Sequence, residues 1–369
     1  MWKTVKLGDV CDFQNGFAFK SALFKESGSP ILRISNIQNE KIDVRKTVFF
    51  DAKDYDTDFT RYEVKRDDLV IAMSGATTGK IGFNKIDTTY YLNQRVGNLK
   101  PKPVLDKVFL YYLLSTKVQE NLSISKGAAQ PNLSSEQIKN IGFSLPPLEE
   151  QKRIVAKLDA AFAKIESLNK IVSTRKAELA KLKKALLLKT LSSEKSDLIN
   201  LGDVCELIYG KGLDKIDRLE NDGIPAYGAN GIKTYSTKIL SDEPSIIIGR
   251  KGSAGELTRV SVAFWALDVT YYTKINKKLI DLDFLYYTLS SMDLPSMAKG
   301  VKPGINRNDV YKRLIYLPTL EEQKYIVSIL DAAYTEIEKV NDSVSKLKNN
   351  CDALKTAILK QELQPSEAA

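Results

Sequence analysis

Two stretches of the chain carry apolar residues at alternating steps of four and three. The first runs Ile154, Leu158, Ala161, Ile165, Leu168, Val172, Arg175, Leu179, Leu182 and Leu186, with Arg175 its one charged interruption. The second runs Ile326, Leu330, Ala333, Ile337, Val340, Val344, Leu347, Cys351, Leu354 and Ile358, in the same register 172 residues later. This period predicts helices with a heptad seam. Roughly 40 residues at about 1.5 Å rise make rods of about 60 Å, far beyond the three-turn average, so the rods are expected to pack on each other. Elsewhere the period shortens. Ile31-Leu32-Arg33-Ile34, Leu69 to Met73 and Ser245 to Ile248 predict strands, while Asp106 to Glu120 and Asp283 to Ser291 predict helices. With frequent glycine turns, the fold class is α+β: two mixed domains separated by two long helices forming an antiparallel coiled coil.

The chain repeats itself. Leu145-Pro146-Pro147-Leu148-Glu149-Glu150-Gln151 through Leu158-Asp159-Ala160-Ala161 returns as Leu317-Pro318-Thr319-Leu320-Glu321-Glu322-Gln323 through Leu330-Asp331-Ala332-Ala333, with 13 of 17 positions identical. Leu7-Gly8-Asp9-Val10-Cys11 returns as Leu201-Gly202-Asp203-Val204-Cys205, and Phe109-Leu110-Tyr111-Tyr112 as Phe284-Leu285-Tyr286-Tyr287. The order is variable domain, helix, variable domain, helix. Boundaries are expected at 1–147 for the first domain, 148–196 for the first helix and a linker, 197–319 for the second domain, 320–362 for the second helix and 363–369 for a tail. Pro147, and Pro318 in the second copy, precede the helical runs, with acidic residues in each first turn where the helix dipole favours them.

Charge sets the direction of the rods. Residues 169–190 carry a net +6, residues 320–340 a net −3, and in residues 341–362 lysines outnumber acids. Antiparallel pairing brings opposite signs together. Each exposed pair contributes only a few tenths of a kcal/mol, roughly, so charge chooses orientation rather than stability.

At 369 residues, 43% apolar and 27% charged, the chain is too long for one core and too ordinary for disorder. It contains no histidine, which removes Ser-His and Cys-His nucleophiles and histidine metal sites. Cys11, Cys205 and Cys351 are too far apart for a zinc motif and odd in number, so no metal site is expected and a reducing cytoplasm is the expected compartment. The first residues lack a signal-peptide core and no apolar run reaches membrane-spanning length, so a soluble, membrane-free protein is expected. The net charge of +9 leans towards a polyanion. It is unevenly shared, +5 over residues 1–147 and +1 over 197–319, so DNA affinity needs local patches.

The loop Ser74-Gly75-Ala76-Thr77-Thr78-Gly79-Lys80 approaches a phosphate-binding pattern but fails it, with Ser74 where glycine is needed and Ile81 where a hydroxyl is needed. Small residues after a strand still let a backbone approach a groove closely. Asn93-Gln94-Arg95 and the Lys126 to Asn132 segment, matched by Lys299 to Arg307, add amides and cations that read adenine and guanine edges or hold phosphates. The DNA-binding candidates are Lys20, Arg33, Ser74, Thr77, Thr78, Lys80, Asn93, Gln94, Arg95, Lys126, Gln130 and Asn132 in the first half. In the second they are Lys211, Tyr227, Asn230, Lys233, Arg250, Lys251, Ser253, Lys299, Lys302, Asn306 and Arg307. For any one of them, bracing a turn or simple solvation explains the residue equally well. Asp58 with Glu63-Val64-Lys65 has the outline of a nuclease set, but such triplets are common and this one lies in a charged stretch. No methyltransferase, Walker or glycine-rich cofactor motif is found, so no catalytic residue is expected.

The doubled Leu-Gly-Asp-Val-Cys, Phe-Leu-Tyr-Tyr and Leu-Pro-x-Leu-Glu-Glu-Gln-x-x-Ile-Val blocks, each of the last heading a long heptad helix, resemble the specificity (S) subunit of type I restriction-modification enzymes over nearly the whole chain. The resemblance implies two target-recognition domains, each reading one half of a split double-stranded DNA site, held apart by the helix pair. It also implies docking of two modification (M) subunits and, through the complex, restriction (R) subunits. Adenine methylation from S-adenosylmethionine, and ATP- and Mg-dependent translocation and cleavage, would then belong to those partners, with no cofactor in this chain. The alternatives are a specificity subunit of a related non-type-I restriction system and a non-catalytic coiled-coil protein-interaction scaffold.

Overall fold

The computed structural model describes residues 2–38, 40–124, 132–192, 197–300 and 303–364. The chain divides into two compact units, residues 1–170 with 348–369, and residues 171–347. Each long helix, Leu148–Leu191 and Leu320–Leu363, is continuous over 44 residues and gives one part to each unit.

In the first unit the strands Cys11–Asn15, Val96–Pro101, Leu69–Ala72 and Ile81–Phe83 lie side by side in that order, and Glu40–Ile42 and Ile37–Gln38 extend the sheet. The second unit repeats the core of this arrangement with Cys205–Tyr209, Thr270–Ile275, Ser245–Gly249 and Leu257–Val260. A four-stranded sheet containing one parallel pair accompanies each, the pair central in the first unit and at the edge in the second. In the first unit Tyr91 lies opposite Ile31, and in the second Ala226 lies opposite Trp265. The buried Leu69-Val70-Ile71-Ala72 and Ser245-Ile246-Ile247-Ile248 runs are covered on both faces, which is why they read as continuous apolar stretches.

The expected short helices are present as Lys107–Ile124 and Leu282–Ser291. Each starts behind an aspartate whose carboxylate accepts two backbone N–H groups: Asp106 from Val108 and Phe109, Asp281 from Asp283 and Phe284. The second tyrosine of each Phe-Leu-Tyr-Tyr block then donates to the aspartate of the Leu-Asp-Ala-Ala block, Tyr112 to Asp159 and Tyr287 to Asp331. Two repeated motifs thus meet each other in both halves.

The long helices pack antiparallel. In the first unit Lys157 pairs with Glu362 at 2.6 Å and Lys355 lies 4.8 Å from the Phe162 ring centre. In the second, Lys183 pairs with Glu338 at 3.7 Å and lies 4.3 Å from the Tyr334 ring centre. As the number rises along one helix it falls along its partner, the direction charge had chosen.

The seam departs from the heptad line. Ile154, Leu158, Ile165, Val172 and Leu330 are buried, and Leu179, Leu186, Ile326, Ile337, Val344 and Ile358 are half-buried. Leu168, Leu182, Val340, Leu347 and Leu354, expected in the seam, are exposed, while Leu187, Leu359 and Leu363, off that line, are buried. A helix of 3.6 residues per turn drifts about 20° per heptad from a 3.5 repeat. Near its end the second helix instead turns Leu359 and Leu363 into the core that holds Phe109, Leu110 and Leu113.

Candidate nucleic-acid interface

Each unit builds the same backbone frame beyond its central sheet. In the first, the Met73 amide donates to the Arg95 carbonyl at 2.9 Å, the Leu133 amide donates to the Met73 carbonyl at 2.8 Å, and Ser74 bridges Asn132. In the second, the Arg250 amide donates to the Val269 carbonyl at 2.8 Å, the Ile305 amide donates to the Arg250 carbonyl at 3.0 Å, and Lys251 bridges Gly304. A short helix follows each, Ser135–Lys139 capped by Ser134 and Arg307–Tyr311 capped by Asn306. Gly16 and Gly210 close the frame from the first strand. A Cβ there would lie 2.1 Å from the Asn93 and Leu267 carbonyl oxygens respectively, so no larger residue fits.

In the first unit this frame surrounds an open groove of about 760 Å³. Ser74, Gln94, Arg95 and Asn132, read as candidates from sequence, line it together with Asn15. Asn15, Gln94, Arg95 and Asn132 are exposed, and the buried Ser74 hydroxyl has no partner among the described residues. The groove offers amides that donate and accept, a hydroxyl and one guanidinium: the functional groups of base-edge reading.

The equivalent place in the second unit carries different chemistry. Arg250 and Arg307 both lie against the ring of Tyr209, with guanidinium carbons 5.3 and 4.9 Å from its centre. Lys251 is exposed beside them. Behind them the Tyr271 phenol, pushed up to about 12 by burial first and by Tyr209 next, stays protonated and donates to the Ile305 carbonyl at 3.0 Å.

Other candidates sit elsewhere. The Arg33 guanidinium donates to the Lys46 carbonyl and lies 5.9 Å from the Phe24 ring centre. Thr77 donates to the Ile34 carbonyl, Thr78 is buried and donates to the Gly75 carbonyl, and the Lys80 ammonium donates to Gln38. Asn93 is half-buried within the frame backbone, and Lys20 is exposed. In the second unit Tyr227 is buried, Ser253 half-buried, and Lys211, Asn230 and Lys233 are exposed. Lys299 pairs with Asp309 at 3.7 Å, and Asn306 serves as the helix cap. Lys126, Gln130 and Lys302 lie outside the described residues. Asp58 accepts from the Thr60 amide and hydroxyl, so the nuclease-like triplet is occupied by a turn. Among the described residues no group of three or more potential metal ligands gathers, and no helix is long and apolar enough to cross a membrane.

Sequence reasoning missed Asn15 and Tyr209. Both stand at the same distance from their Leu-Gly-Asp-Val-Cys blocks, each directly before the frame glycine, and that shared offset is the signal that finds them.

Known proteins share this fold. A solved chain described under the structural basis of complex assembly and conformational transition of the type I R-M system superposes with a TM-score of 0.82 at 19% identity, covering 98% of this chain and 97% of that one. The HsdS subunit from Thermoanaerobacter tengcongensis superposes with a TM-score of 0.58 at 20% identity, covering 98% and 96%. The MjaVIII specificity subunit of Methanocaldococcus jannaschii is 35% identical over 193 residues, 50% of this chain and 44% of that protein, so the match spans less than half of that relative. The putative MjaX specificity subunit of the same organism is 26% identical over 94% of this chain and 91% of its own. The family model for the type I restriction modification DNA specificity domain matches residues 1–174 and again 193–348. Matched twice and over most of its length, the chain belongs to the type I restriction modification DNA specificity family.

Proposed function

We propose that this chain is the DNA specificity subunit of a type I restriction-modification enzyme, each unit reading one half of a split duplex site. The observation that carries the reading is the duplicated frame. Identical main-chain bonds hold neutral amides, a hydroxyl and Arg95 in one unit and a pair of stacked guanidiniums in the other, the arrangement expected of two readers with a common scaffold and different targets. The chain supplies recognition. Two M subunits, and R subunits through the complex, supply methylation and cleavage with S-adenosylmethionine, ATP and Mg. The cytoplasm is the compartment in which such a complex meets DNA. Joining two weak readers in one molecule raises the effective concentration of the second contact.

The test is single-molecule methylation mapping of cells expressing this chain with its methyltransferase partner. A split motif is expected, and replacing residues 201–317 by those of a relative is expected to change one half of it. Methylation without a split motif, or changes in both halves, overturns the reading.

A further inference from the structure

The second unit holds two arginines at places where the first, on the same frame, holds uncharged residues. Counting from the shared bonds, Tyr209, Arg250 and Arg307 stand at the places of Asn15, Met73 and Ser135. The first unit forms its frame with those three uncharged residues, so the fold does not require the arginines. Nor do they stabilise each other, since two like charges drawn to one ring repel.

Their donors are largely unspent. Arg250 donates one Nη2 hydrogen bond to the Asp268 carbonyl at 2.8 Å, and its buried Nε has no partner among the described residues. Arg307 donates from Nη1 to the Leu207 carbonyl at 3.1 Å. Among the described residues neither guanidinium has a carboxylate within ion-pair distance, and nearby Asp309 is engaged by Lys299. Both are held rigidly. Arg250 is fixed by backbone bonds on either side, and Arg307 opens a capped helix. Tyr209, 46% exposed, presents the pair at the surface. Such an arrangement fits a ligand that offers adjacent acceptors without a proton, either a phosphate or the O6/N7 edge of guanine. Rigid, stacked forks favour the planar bidentate partner, whereas a phosphate contact needs only a point charge.

We propose that Arg250 and Arg307, stacked on Tyr209, form a guanine-reading clamp that sets one G·C position in the half-site of the second unit. This rests on the reading of the chain as a DNA specificity subunit. The experiment uses the complete complex with its methyltransferase, comparing wild type with Arg250→Lys and Arg307→Lys, which keep the charge and remove the fork. Methylation mapping is expected to show one guanine position of one half-site relaxed, with discrimination there falling about 5- to 150-fold. Binding to a duplex with 7-deazaguanine at that position is expected to weaken for wild type and to stay level with ordinary guanine for the variants. An unchanged motif in both variants overturns the clamp. So does uniform loss across sequences in Arg250→Gln and Arg307→Gln with a salt slope lower by about 1, which assigns the pair to phosphate. A wild-type complex that yields no split motif instead overturns the underlying reading, and is distinguished because it fails before any substitution is made.

Discussion

The Gln151 side-chain oxygen accepts a hydrogen bond from the Asp106 backbone amide at 2.7 Å, tying the start of the first long helix to the start of a helix 45 residues earlier. Its amide nitrogen donates to the Val104 and Pro146 carbonyls, both at 2.9 Å. Gln323 repeats every bond, accepting from Asp281 at 2.7 Å and donating to Leu279 and Pro318 at 2.9 and 2.8 Å. Both glutamines are fully buried. The repeated Leu-Glu-Glu-Gln block is therefore a three-way backbone clamp as well as a helix start.

Gln151→Ala leaves one amide and two carbonyls unpaired in a closed space, and Gln323→Ala does the same in the second unit. Each is expected to cost about 3 kcal/mol or more in urea unfolding. Gln151→Glu is expected to be no better, because a carboxylate oxygen would face two carbonyl oxygens with no hydrogen between them.

Leu330 is fully buried between the helices, whereas Leu182, on the predicted seam, is 55% exposed. Leu330→Ala is expected to destabilise by about 2–5 kcal/mol and Leu182→Ala by under about 1 kcal/mol. Equal effects in chemical denaturation would restore the straight heptad line.

Burial pushes the Cys11 and Cys205 thiols from the ordinary 9.0 up to about 12. Both should resist a thiol reagent at pH 8 until the protein is unfolded. A raised folded pKa favours the folded state fully below about pH 9 and loses that contribution as pH climbs towards 12. Serine at either position is expected to flatten the decline.

The Tyr287 phenol is likewise raised to about 12, by burial first and then by its hydrogen bond to Asp331, against the lowering influence of Arg259. Arg259 lies 3.1 Å from Asp283, 3.9 Å from Asp331 and 4.0 Å from the Tyr286 ring centre. Stability held below pH 10 should fall between about pH 10 and 12 as this proton leaves. Tyr287→Phe is expected to lessen that fall, leaving the part carried by Cys11, Cys205 and Tyr271, read by ultraviolet absorbance and thermal melts in parallel.

Much of this was legible because duplication marks what must not change. The Phe-Leu-Tyr-Tyr and Leu-Asp-Ala-Ala blocks announced helices correctly, and charge alone gave the helix direction. The groove was partly legible. Gln94, Arg95 and Asn132 were found as polar loop residues, but Asn15, Ser74, Gln94 and Asn132 come from four separate segments, and no local period says they meet. Leu168 and Leu354 lie on the heptad line but are exposed for the opposite reason: a 3.5-residue repeat is regular, and a helix of 3.6 residues per turn drifts away from it.

Because Leu359 and Leu363 belong to the same core as Leu7 and Phe109, the first unit is assembled from segments far apart in the order of synthesis. A ribosome must finish the second unit before the first has all its parts. Nascent chains arrested before residue 359 should carry a sheet awaiting its last apolar cover, so the half made first is the half completed last.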